Sequence, residues 1–161
     1  MSQATEQTPP PTPAPRAYTS RSEEAAVRLM RAAGMVQVRL ARLLKHYGLS
    51  PATYDILRVL ADAGDACASR HLARCIATAA PDLTRLLQRL EKAGYIERSR
   101  DTTDRRVVTV RLTDAGRDLL DRTTGPIASL HKQIMGRLRK GERKALVAAL
   151  RQLEDEGVSR V

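Results

Sequence analysis

Between residues 22 and 47, apolar side chains return every three or four positions, at Leu29, Ala33, Val36, Leu40, Leu43 and Tyr47, which predicts one face of a long helix. Glu23 and Glu24 stand where the first turn of a helix favours negative charge, and Gly48 stops it. Ser50-Pro51 then reads as a cap followed by proline at the first position of a second helix, which runs to about residue 63 with Ile56, Leu57 and Leu60 as its inner stripe.

A short third helix is expected from residue 69 to 76 or 77, with the Ser69 hydroxyl as its cap and Leu72 and Ile76 turned inward. Pro81 opens a fourth through Lys92, closed at Gly94, and the tight spacing of the two makes a helix-turn-helix. After Gly94 the period changes from helical to two, so residues 95–100 and 107–112 read as strands around the turn Asp101-Thr102-Thr103-Asp104, a hairpin placed as a wing. Thr113 caps a fifth helix, which Gly125-Pro126 is expected to kink or break before Ile127, Leu130, Ile134 and Leu138 resume the stripe. A last helix over about residues 141–154 aligns Leu146, Leu150 and Leu153. The fold class is therefore mostly α with a small β-hairpin wing: a winged helix-turn-helix over residues 69–112, with helices at 22–47 and 114–156 whose apolar faces exceed what one subunit covers and so serve dimerisation.

Charge narrows the function. Twenty-eight Lys and Arg against 18 Asp and Glu leave a formal net charge of +10 and a pI near 10.4, which calls for a polyanionic partner. No apolar run reaches the roughly 18–20 residues of a membrane span, so nucleic acid is preferred to a membrane surface. Residues 1–20 carry five prolines between Pro9 and Pro15 and neither the apolar stretch nor the cleavage pattern of a signal peptide. They read as a disordered tail ahead of a single domain over 21–161, in a cytoplasmic protein. Two cysteines do not make a disulfide framework, and both are expected to be reduced. There is no glycine-rich phosphate loop, no His-Glu-x-x-His and no nucleophile-elbow serine, so the chain does not read as an enzyme, and no cofactor or metal is expected.

At about 100° per residue, the fourth helix gathers Leu83, Leu86, Leu87 and Leu90 on one side. Pro81, Arg85, Gln88 and Lys92 stand opposite, flanked by Thr84 and Arg89. Arginine can donate two hydrogen bonds to guanine, glutamine can pair with adenine, and a threonine methyl can meet a thymine methyl, which makes Arg85 the leading base reader. Lys92, almost three turns later, suits phosphate or solvent, and Asp82 suits either the helix dipole or a cytosine amino group. The wing adds Arg98, Arg100, Arg105, Arg106 and Arg111, of which Arg105 or Arg106 at the tip is placed to enter a narrow minor groove. Asp104 is assigned to holding the wing's shape. Cys67, His71 and Cys75 are spaced by four and would align for metal or redox chemistry if the third helix reached back to Cys67, but they offer three ligands without a fourth.

Residues 80–98, Ala-Pro-Asp-Leu-Thr-Arg-Leu-Leu-Gln-Arg-Leu-Glu-Lys-Ala-Gly-Tyr-Ile-Glu-Arg, followed by Asp104-Arg105-Arg106 and Leu112-Thr113-Asp114-Ala115-Gly116, resemble the MarR family of bacterial transcription regulators. The resemblance spans roughly residues 25–155 and is strongest from Leu72 to Gly116. It implies a homodimer joined by its terminal helices, each subunit offering one winged helix to a pseudo-palindromic operator, with repression as the expected outcome. By that resemblance Arg85 reads bases and Arg105 or Arg106 makes a wing contact. The full DNA-binding set expected is Ser69, Pro81, Thr84, Arg85, Gln88, Arg89, Arg98, Asp104, Arg105 and Arg106. The resemblance also implies release by a small phenolic or lipophilic effector, for which His46, Tyr47 and Tyr54 are the candidate pocket edge. Peroxide-sensing relatives carry a cysteine in the first helical region, whereas this chain has none before Cys67. The competing readings are a winged helix used only for protein contacts and a non-specific DNA-binding protein.

Overall fold

The structure of the protein, a computed structural model, describes residues 18–76, 80–100 and 108–158. The proline-rich segment up to residue 17 and the expected wing turn at 101–104 lie outside the described residues. Contacts divide the chain into two units, 1–34 and 35–161. The first holds the start of helix α1 (Arg21–Lys45). Ser20 Oγ accepts from the Glu23 N–H at 3.0 Å, and the Glu23 carboxylate accepts in return from the N–H and hydroxyl of Thr19 at 2.7 and 2.6 Å. These bonds satisfy donors that a helix start leaves open. Leu29 and Ala33, on the apolar face that the spacing predicts, are exposed.

In the second unit the chain continues through α2 (Pro51–Asp62), β1 (Ala66–Ala68), α3 (Ser69–Cys75), α4 (Ala80–Lys92), β2 (Ile96–Arg100), β3 (Val108–Leu112), α5 (Asp114–Met135) and α6 (Lys140–Val158). Its core gathers Leu44 and Leu49, the α2 stripe Ile56, Leu57 and Leu60, Leu72 and Ile76 from the region of α3, and Leu83, Leu87 and Leu90 from α4. Ile96, Val110 and Leu112 from the sheet and Leu119, Leu120 and Ile127 from α5 complete it. The α2 start is as expected: Ser50 Oγ accepts from Thr53 N–H at 3.2 Å while Thr53 Oγ1 accepts from Ser50 N–H at 2.8 Å. Ser50→Ala is expected to lower stability by about 1 kcal/mol, measured as a reduced thermal midpoint.

Four expectations are corrected. The third helix is capped by Ala68 without a side-chain bond, and Ser69 is its first helical residue. A three-residue strand, β1, precedes it and makes the hairpin a three-stranded antiparallel sheet in the order β1-β3-β2. Ala66 faces Arg111 and Ala68 faces Thr109, while Ile96 faces Leu112 and Arg100 faces Val108. Of the kink or break expected at Gly125-Pro126, the break does not occur, and α5 runs unbroken to Met135. Gly125 removes the Cβ that would crowd a following proline, and burial of Thr123 and Ile127 on either side holds the helix in place. Leu138 falls in the turn after α5 rather than on its stripe. Among the described residues no helix is long and apolar enough to cross a membrane.

Candidate nucleic-acid interface

The α4 helix is sorted by side as its sequence predicts. Leu83, Leu87 and Leu90 are buried and Leu86 is half-buried, whereas Asp82, Thr84, Arg85, Gln88, Arg89 and Lys92 are exposed. Burying the leucines fixes the rotation of the helix about its axis, so the opposite row of donors faces outward. The helix ends where Gly94, at φ +76°, turns the backbone left-handed. There Tyr95 N–H donates to Leu90 O at 3.0 Å and Gly94 N–H to Glu91 O at 2.9 Å, which satisfies two terminal carbonyls and sends the chain straight into β2.

Ser69 is half-buried at the start of α3. Arg98, expected at DNA, is half-buried on β2 and donates through Nε at 2.8 Å to Glu91 Oε2, with Nη2 on the same oxygen. This pair ties β2 to α4, and the Arg98 guanidinium holds the Glu91 carboxyl below its usual range. Arg100 on β2 and Arg111 on β3 are exposed. Asp104, Arg105 and Arg106 lie outside the described residues. Two cations to which the sequence reading assigns no role, Arg70 and Arg74, are exposed on α3. With Ala66, Cys67 and His71 they line an open cavity of about 450 Å³.

Cys67 lies on β1, paired with Val110, so it does not extend the α3 row of His71 and Cys75. Burial pushes the Cys67 thiol up, and the exposed Cys75 Sγ lies 3.4 Å from His71 Nε2. Among the described residues no group of three or more His, Cys, Asp or Glu could hold a metal ion. His46 is exposed with Nδ1 3.3 Å from Leu43 O, while Tyr47 and Tyr54 are half-buried against the core. Burial raises the Tyr54 phenol above its ordinary value.

The MarR family model matches residues 47–107. A Bacillus subtilis HTH-type transcriptional regulator, YwaE, is 28% identical over 131 residues, covering 81% of this chain and 76% of its own. Among solved structures, a MarR family regulator from Streptomyces coelicolor in complex with DNA superimposes with a TM-score of 0.78 at 26% identity, covering 90% of this chain and 92% of that one. BpsR of Bordetella bronchiseptica, whose DNA binding is described as regulated by 6-hydroxynicotinic acid, gives 0.74 at 28% identity over 82% of this chain and 99% of its own.

Proposed function

We propose that this chain, a member of the MarR family of winged helix-turn-helix transcription regulators, acts in the cytoplasm as a homodimeric repressor of a pseudo-palindromic operator. It is a DNA-binding regulator and not an enzyme. The observation that carries the reading is the exposed row Thr84, Arg85, Gln88 and Arg89 on α4, opposite leucines sunk in the core. In this reading Arg85 donates to a guanine edge, Gln88 and Thr84 take neighbouring bases, and Arg89 and Lys92 take phosphates. Pro81 sits at the entering end of the helix, and Asp104 shapes a wing whose Arg105 or Arg106 reaches the minor groove. Arg98 serves by anchoring β2 to α4 through Glu91.

Dimerisation is supported by exposed apolar side chains on the terminal helices: Met35 and Val38 on α1, and Leu146, Val147 and Leu153 on α6. Residues 22–47 and 114–156 would form the joint and residues 69–112 the reading head. A small phenolic or lipophilic effector is proposed by analogy with BpsR, with His46, Tyr47 and Tyr54 beside its site.

Titrating the protein into its own upstream duplex and into a scrambled duplex across a salt series tests the reading. Both affinities carry the counterion term, which falls with a log-log slope of about −0.9 per neutralised phosphate. The upstream duplex is expected to stay bound at salt that strips the scrambled one. Arg85→Ala is expected to cost about 1–3 kcal/mol on the upstream duplex and far less on the scrambled one. Equal loss on both makes Arg85 a phosphate contact, and equal binding of both duplexes by the unaltered protein makes the basic face a general polyanion surface.

A further inference from the structure

We propose that Arg117, in the first turn of α5, is a positioning residue for DNA binding: it locks a left-handed turn at Asp65 to which the returning strand of the wing is tied. The proposal rests on the DNA-binding reading above.

Asp65 has φ +70° and is the only non-glycine among the described residues with a positive φ. It follows Gly64, at φ +75°, so two consecutive left-handed residues swing the chain from α2 into β1. A side chain in that region persists only where its surroundings over-determine it, and aspartate tolerates it better than most. Three bonds provide that hold. Asp65 N–H donates to Leu60 O at 2.8 Å, Asp65 O accepts from Leu112 N–H at 2.7 Å, and Asp65 Oδ2 accepts from Arg117 Nη1 at 2.5 Å. Leu112 is the last residue of β3, so the Asp65 carbonyl carries the β1–β3 pairing to the point where the strand leaves the wing.

The other arm of Arg117, Nη2, donates to Asp114 Oδ1 at 2.7 Å in the first turn of α5. One planar fork therefore joins the α2 exit to the α5 entry, a geometry a lysine ammonium does not reproduce. The same turn of α5 grips the exit of the recognition helix. Thr113 donates its hydroxyl to Gly94 O at 2.7 Å and its N–H to Tyr95 O at 3.1 Å, while its Oγ accepts from Gly116 N–H at 3.1 Å. The residues leaving α2, α4 and β3 thus meet on residues 113–117, and that junction sets how α4 and the wing are held together. The Arg117 and Asp65 side chains are 44% and 37% exposed, so the pair adds little to global stability, and its consequence is placement.

The test uses the full chain, with Arg117→Gln, Asp65→Asn, Asp65→Gly and their pairings. On the upstream duplex, Arg117→Gln and Asp65→Asn are each expected to lower affinity about five- to tenfold, and together no more than Arg117→Gln alone, as their shared ion pair requires. The denaturation midpoint stays near that of the parent and the salt slope is unchanged, because no phosphate contact is lost. Asp65→Gly adopts the turn without strain, so affinity is retained and adding Arg117→Gln costs less than about twofold. In the free protein, amide exchange at Leu112 and Thr113 quickens in Arg117→Gln and not in the Asp65→Gly pairing. A salt slope shallower by about one unit would make Arg117 a phosphate ligand, and an undiminished Arg117→Gln effect in the Asp65→Gly background would disconnect it from the turn. Either result overturns the proposal. If the unaltered protein selects no duplex, the DNA reading fails, while the exchange measurement still decides whether Arg117 holds the turn.

Discussion

Leu90→Ala is expected to lower the free energy of unfolding by about 2–5 kcal/mol, seen as a fall in the urea midpoint with the slope of the transition unchanged. Leu90 is 2% exposed, on the side of α4 turned into the core. Its carbonyl also accepts the Tyr95 N–H that closes the helix, so a cavity there opens beside the joint between recognition helix and wing. Against a typical total of about 5–15 kcal/mol, that loss brings the fold close to its threshold. Leu86, half-buried on the same helix, serves as the internal comparison, and truncating it is expected to cost clearly less. Equal costs at the two positions would mean that α4 is not rotated as described.

A second large effect is expected at Gly116, where the first turn of α5 crosses the end of the recognition helix. A Cβ there would fall onto the Tyr95 carbonyl oxygen and 2.7 Å from Leu112 Cδ1. The leucine tip can move, but the carbonyl cannot easily do so, because it accepts the Thr113 N–H at 3.1 Å. Gly116→Ala therefore combines overpacking, about 1–3 kcal/mol, with a strained or lost backbone hydrogen bond worth a further ~1 kcal/mol. Because α4 and the wing must shift together to make room, DNA affinity is expected to fall along with the thermal midpoint. Gly141, with nothing within 4 Å of its added Cβ, is the control. Gly141→Ala is expected to change stability by no more than about 0.5 kcal/mol.

The contrast between these glycines shows where reading a chain stops. Gly94 could be assigned from sequence because its task is local: it ends a run of helical spacing just before a run of alternation. Gly116 carries no such mark, since its constraint comes from a carbonyl twenty-one residues earlier in the chain. The same division separates the arginines. Arg85 and Arg89 follow from the leucine spacing on their own helix, whereas the ion pair of Arg98 with Glu91, seven residues back, shows only in the fold. β1 is a similar case, because Ala66-Cys67-Ala68 has little β character of its own and pairs only because β3 presents an open ladder beside it.

Sequence alone therefore determined the order and kind of the helices, the two strands of the wing, the leucine side of α4 and the donors opposite it. Those follow from spacing, caps and breakers that act within a few residues. Tertiary structure alone decided the third strand, the passage of α5 through Pro126, the capture of Arg98 and the knot of Asp65, Thr113, Gly116 and Arg117 beneath the wing. Each of these depends on a hydrogen bond, ion pair or packing contact whose partner is supplied by another part of the fold, and local periodicity carries no record of such partners.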